Sequence, residues 1–221
     1  MFFFDPEMPF VTLDINSPNP QSLMNTKKIY AALACTAAAV IMLSCNKPAQ
    51  PATEVAAMAP TTDRVNMMIK DWERAKKFTM AYLDSSNDKT VSYKLSPKTP
   101  RSFGGQLLHL SEVNYVLGKV ATGKPTDVGF GQLESSDQIK TKADLTKAVM
   151  DSYDYVIAGL KDMNDTQLLD TCSIQLGPNF KPVMTKEEML AKTFEHQTHH
   201  RGQATQYLRA QGLTPPQEML F

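Results

Sequence analysis

Four histidines carry most of the chemistry this sequence can offer, and His196, His199 and His200 are crowded into one short stretch. His196 and His200 are four apart, which on an α-helix stacks one imidazole a turn above the other, so that both can face one ion. On a wheel at about 100° per residue, His200 falls about 40° from the apolar centre set by Leu190, Phe194, Ala204 and Leu208, His196 about 80° and His199 about 140°. His199 therefore belongs with Lys192, Glu195 and Gln206 on the solvated side. The fourth, His109, sits among Leu107, Leu108, Leu110 and Val113. A histidine buried there needs a partner, because an unpaired polar group in an apolar setting costs free energy. In an ordinary core that partner is a backbone carbonyl or a tyrosine hydroxyl; the His196/His200 pair on another helix favours a shared metal ion instead. Three neutral imidazoles suit Zn, Ni or Fe(II) rather than Mg or Ca, which prefer oxygen ligands. Three protein ligands also leave a coordination position open, as in reactive zinc sites. His109, His196 and His200 are thus the expected ligands of a divalent transition metal.

Helices must position these side chains, and the apolar spacing supplies them. Thr61-Thr62-Asp63 can cap a first helix through Val65, Met68, Trp72, Ala75, Phe78, Thr79 and Tyr82, ending near residues 84–87. Beyond a linker holding Pro97 and Pro100, a second helix spans about residues 102–118, striped by Phe103, Leu107, Leu110, Val113 and Leu117. Residues 121–139 show glycines and polar residues without a period and read as a long loop. A third helix covers residues 141–163, with Leu145, Ala148, Val149, Ser152, Val156 and Leu160 in phase. After a loop with Gly177-Pro178 and Pro182, a fourth begins at Thr185, boxed by Glu188, and stops at Gln211 before Gly212 and Pro215-Pro216. No alternating strand pattern is convincing. The expected fold is all-α: a four-helix bundle with long inter-helix connections, an architecture that builds metal sites from facing helices.

The chain has 221 residues, and Lys and Arg number 23 against 23 Asp and Glu, so no global field points to nucleic acid. At 42% hydrophobic residues, wholesale disorder is excluded. The three cysteines, Cys35, Cys45 and Cys172, form no CxxC pair, which excludes a thiolate zinc cluster or a thioredoxin-type site and leaves Cys172 a reduced spectator.

The N-terminal part reads as an address. Residues 1–23 carry proline and acidic interruptions and no basic residue, and are expected to be a mis-called start, with translation beginning at Met24. Residues 24–45 have the order of a signal peptide: Lys27-Lys28, an alanine-rich apolar run over residues 29–43, and a terminal cysteine. The apolar run is shorter than the roughly twenty residues that span a bilayer. Met42-Leu43-Ser44-Cys45 resembles a bacterial lipobox, which makes Cys45 the expected lipidation site. Residues 46–60 form a proline- and alanine-rich tether, and residues 61–216 the bundle. The expectation is an exported lipoprotein, anchored to a membrane of the cell envelope.

His196-Gln197-Thr198-His199-His200-Arg201-Gly202-Gln203, followed by Tyr207-Leu208-Arg209-Ala210-Gln211-Gly212 and Pro215-Pro216, resembles the C-terminal signature of the DinB/YfiT-like metalloenzyme family. Ser102-Phe103-Gly104-Gly105-Gln106-Leu107-Leu108-His109-Leu110 is similar to that family's second-helix segment. The resemblance implies a four-helix bundle with a three-histidine divalent metal site on His109, His196 and His200, with His199 not a ligand. It also implies metal-dependent transfer of low-molecular-weight thiols. The lipobox departs from the family, whose members are mostly cytoplasmic, and bears against a cytosolic thiol cosubstrate.

Other residues signal less. Arg201, Gly202 and Gln203 are expected to serve helix packing, the glycine admitting a neighbouring chain. Trp72 and Tyr82 read as core more readily than as cavity lining, and Glu112 and Glu195 as solvated charges more readily than as acid/base groups. Two functions follow. One is an enzyme, a thiol S-transferase or hydrolase acting on a small-molecule substrate or thiol, for which no independent general base can be named. The other is a non-catalytic, membrane-anchored metal-binding or stress-related module. A purely structural metal is a third reading, and exposed apolar flanks make a homodimer plausible.

Overall fold

The computed structural model describes residues 63–221. The start at Met24, the signal segment, Cys45, the tether, and Thr61 and Thr62 lie outside the described residues. Helices α1 (Arg64–Asp84), α2 (Asp88–Val91), α3 (Phe103–Thr122), α4 (Lys142–Lys161) and α5 (Lys186–Ala210) follow in chain order. The fold is all-α, as expected, and its four long helices are those read from the apolar spacing.

Each long helix starts on a side-chain cap, because its first N–H groups have no partner within the helix. Asp63 accepts from the Asn66 N–H at the start of α1, and Ser102 from the Gly105 N–H at the start of α3. Thr141 and Thr185 form capping boxes with Asp144 and Glu188. The first two N–H groups of α1, on Arg64 and Val65, are held by the distant carboxylate of Asp165 at 3.0 and 2.9 Å. Helix α3 runs a turn beyond the expected Gly118 and stops at Gly123, whose φ of 76° is the left-handed C-cap geometry that glycine adopts without strain.

Two connections hold elements that were not expected. The linker after α1 holds the one-turn α2, capped by Asn87. The connection between α4 and α5, expected to be loop, contains a 3-10 turn (Gln167–Leu169) and a hairpin of β1 (Thr171–Ser173) and β2 (Val183–Thr185). The strands are antiparallel, with Cys172 opposite Met184. Three residues are too few for an alternating pattern to stand out in a sequence. Cys172 is half-buried and unbridged.

Helix α3 packs against both α4 and α5, while α1 lies against α4 and more lightly against α5. Trp72, Phe103, Leu107, Tyr153, Leu190 and Tyr207 fill the centre, with the Trp72 ring edge-on to Tyr153 and Phe194. Trp72 and Tyr82 are therefore core. Close approaches lie not at Gly202, where an added Cβ would meet open space, but at Gly104, where it would come 2.8 Å from the Val91 backbone oxygen, and at Gly159, where it would come within 2.6–2.9 Å of the Thr122 side chain. Arg201 does serve packing: it is buried, donates to Gln197 Oε1 at 2.7 Å, and lies 4.5 Å above the Phe78 ring.

Candidate metal centre

Helices α3 and α5 bring His109, His196 and His200 together, with one potential ligand atom from each lying within 4.8 Å of the others. The Nε2 atoms of His196 and His200 stand 3.1 Å apart. His200 is buried and the other two are half-buried, while His199 is exposed and accepts a 2.7 Å hydrogen bond from Gln203. The order of burial along α5 follows the helical wheel.

Two of the three imidazoles have an acceptor at Nδ1. His109 Nδ1 is 2.7 Å from Glu134 Oε1. A carboxylate only accepts, so this nitrogen carries a proton, which in the neutral ring leaves the lone pair on Nε2. Arg101 Nη2 also lies 3.2 Å from His109 Nδ1. A guanidinium cannot accept, however, and its own bonds go to Glu134 at 2.7 and 3.2 Å. His200 Nδ1 is 2.7 Å from Gln106 Oε1. His196 Nδ1 is buried without a partner.

Glu134 comes from the long loop between α3 and α4, and Glu112 holds that loop in place. Expected as a solvated charge, Glu112 is instead 0% exposed. Its Oε2 accepts the Gly131 N–H at 2.8 Å, and its Oε1 accepts those of Leu133 and Glu134 at 2.7 and 2.9 Å. Glu195 is exposed. His109, Glu112 and Glu134 also satisfy the spacing of a metal group. Their carboxylates are already taken by three backbone N–H groups and by Arg101, so this cluster is the wall of the histidine site rather than a second pocket.

Burial, followed by the nearby charges of His109, His199 and Arg101, pushes His196 down to about 4. Burial, followed by the neighbouring histidines and Arg101, pushes His200 down as well. Partial burial works against ionisation of Glu134, but hydrogen bonds from His109 and Arg101, reinforced by their charge, hold it down to about 2. At neutral pH, neutral His196 and His200 thus face His109 beside the ionised carboxylate of Glu134, and this group could hold a metal ion.

The DinB family profile matches residues 58–219, most of the chain. The chain belongs to the DinB family. The fold of this DinB protein is similar to that of a DinB-like protein from Bacillus cereus, at 21% identity and a TM-score of 0.57, over 69% of this chain and 96% of that one. A DinB-like protein from Bacillus subtilis is similar at 19% identity and a TM-score of 0.51, over 71% and 97%. Both likenesses concern the fold. Comparison with curated proteins returns no match.

Sequence reasoning missed Glu134, Arg101 and Gln106. Glu134 lies in a segment without periodicity and carries no signal. Gln106 does carry one, since it stands three residues before His109 and so shares its face of α3.

Two predictions follow from this geometry. Replacing Glu112 with alanine should cost on the order of 2–4 kcal/mol by urea denaturation, because three loop N–H groups lose a charged acceptor. It should also speed proteolytic cleavage between residues 123 and 141; unchanged cleavage would show that the loop is held by other means. In the metal-free protein, unfolded histidines take up protons near 6.5 while folded His196 resists until about 4. The unfolded state therefore binds more protons in that window, and stability falls as the pH drops from 6.5 towards 4. Glu134 adds a loss of the same sign between 4.5 and about 2. Thermal melts from pH 7.5 to 5 should show the first slope, reduced in His200→Gln.

Proposed function

We propose that this DinB protein binds one divalent transition metal, Zn, Ni or Fe(II), through His109, His196 and His200, and uses it for thiol transfer or hydrolysis. The observation that carries this reading is the convergence of three imidazoles, two with Nδ1 occupied by Gln106 and Glu134, so that their Nε2 lone pairs are free. A bound ion would supply an open position at which a thiol or water loses its proton near neutral pH. His109, held by Glu134, and His200, held by Gln106, orient the ligand set.

The alternative is a non-catalytic, anchored metal-binding or stress-related module. It is favoured by the state of the two nearby carboxylates, since Glu112 is spent on backbone N–H groups and Glu134 on Arg101 and His109. Neither is free to serve as a general base. The chain is further proposed to be an exported lipoprotein acylated at Cys45, which rests on the order of paired lysines, apolar run and lipobox. A homodimer remains part of this reading, tested by sedimentation.

Competition titration with Zn or Co(II) should give about one equivalent bound, with affinity falling at acidic pH as the imidazoles protonate. His196→Ala and His200→Ala should each weaken binding by at least about 100-fold; unchanged metal content would remove the ligand assignment. Thiol-conjugation and hydrolase assays run beside metal-stripped protein separate the two functions, because activity that survives stripping places the chemistry elsewhere. For the anchor, mass spectrometry of the mature protein should find an acylated Cys45 at the N-terminus, and an uncleaved Ser44-Cys45 peptide would refute it.

A further inference from the structure

We infer that Gln106 and Tyr207 together place the proton of His200. Tyr207 fixes which way the Gln106 amide points, and Gln106 thereby keeps the His200 proton on Nδ1 and its lone pair on Nε2, facing His196. The consequence for metal binding rests on the three-histidine reading above; the placement of the proton does not.

The backbone carbonyl of Arg101 can only accept, so the Tyr207 hydroxyl, 2.8 Å away, must donate to it. With that proton committed, the hydroxyl oxygen is left as an acceptor, and it takes an N–H of Gln106 Nε2 at 3.2 Å. A flipped amide would set Oε1 against an oxygen with no proton to offer. The amide is therefore held with Oε1 towards His200 Nδ1, at 2.7 Å. An oxygen acceptor there requires an N–H, and the tautomer follows. Gln106 and His200 are each 5% exposed and Tyr207 is 1% exposed. Water has little access to stand in for a lost partner, so an incorrect orientation would leave buried polar atoms unpaired.

The same residue closes the other side of the site. Arg101 accepts from Tyr207 through its carbonyl and donates through its guanidinium to Glu134, which in turn takes the proton of His109 Nδ1. A circuit of hydrogen bonds, His200–Gln106–Tyr207–Arg101–Glu134–His109, thus gives both terminal histidines the same tautomer from opposite ends. His196 lies outside it, with Nδ1 unpaired. Gln106 and Tyr207 are positioning residues, since both act through His200.

Tyr207→Phe tests this, because it removes one hydroxyl and keeps the ring that meets Phe103 edge-on at 6.5 Å. Nitrogen-15 spectra of histidine-labelled, metal-free protein should show Nδ1 protonated and Nε2 unprotonated at His200 in the wild type, and a mixture of tautomers in Tyr207→Phe. Adding Gln106→Glu should restore the single tautomer, since a carboxylate only accepts and needs no tyrosine to orient it. Zinc affinity should fall about 10-fold in Tyr207→Phe and recover in the double variant. Gln106→Met, which leaves Tyr207 bonded to Arg101, should lose the tautomer preference in the same way, and it carries the test if Tyr207→Phe does not fold. A single Nδ1–H tautomer persisting in both Tyr207→Phe and Gln106→Met would overturn the proposal. A wild type that binds no zinc would remove the metal reading, while the nitrogen spectra would still decide where the proton sits.

Discussion

Glu112 sets a carboxyl group inside a helical core, at no exposure to solvent, and much of the site depends on what it receives there. A carboxylate so placed is stable only if hydrogen bonds replace its lost hydration. Those bonds come from the backbone N–H groups of Gly131, Leu133 and Glu134, in a loop that has no helix or strand of its own. The exchange fixes both partners. The loop gains a conformation that its sequence does not encode, and the charge gains the donors it needs. Because Glu134 is one of the residues whose N–H is captured, its side chain is delivered to His109 as a by-product of holding the backbone.

Electrostatics around the histidines show a second balance. For His196 and His200, burial outweighs every neighbouring charge as the reason the imidazoles stay neutral. Arg101 would oppose any cation held among them: two unit charges 4 Å apart interact by about 4 kcal/mol at an effective dielectric near 20. Glu134, bonded to that guanidinium through both Nε and Nη2, cancels most of this field without competing for the imidazole lone pairs. Neutral donors at His196 and His200, a compensated cation and no spare base describe a group of side chains that could hold a metal ion.

The sequence made some of this legible and hid the rest for physical reasons. Helical apolar spacing, caps such as Thr185 with Glu188, and the four-residue step from His196 to His200 are local signals, and they located the long helices and the histidine face of α5. The burial of Glu112 was not legible, since a glutamate among polar neighbours on a helix looks the same whether it meets water or a loop folded back from 19 residues away. Glu134 had no local pattern at all. Gly202 misled in the opposite sense: a glycine in a conspicuous motif suggested a close approach, whereas tight contacts fell at Gly104 and Gly159. Three-residue strands fall below what alternation can reveal.

The Asp165 cap has a consequence for how the chain is made. The first two N–H groups of α1 are held by a carboxylate 101 and 100 residues downstream. Because synthesis proceeds from the N-terminus, α1 leaves the ribosome well before its cap exists. Until residue 165 emerges, those donors face water, and the helix depends on Asp63 and on its own weak propensity to persist. Once the α4–α5 connection arrives, the cap ties the start of α1 to the segment after α4 in a long-range contact, of the kind that slows folding. Nascent α1 is therefore a helix in waiting, completed by the segment that follows α4.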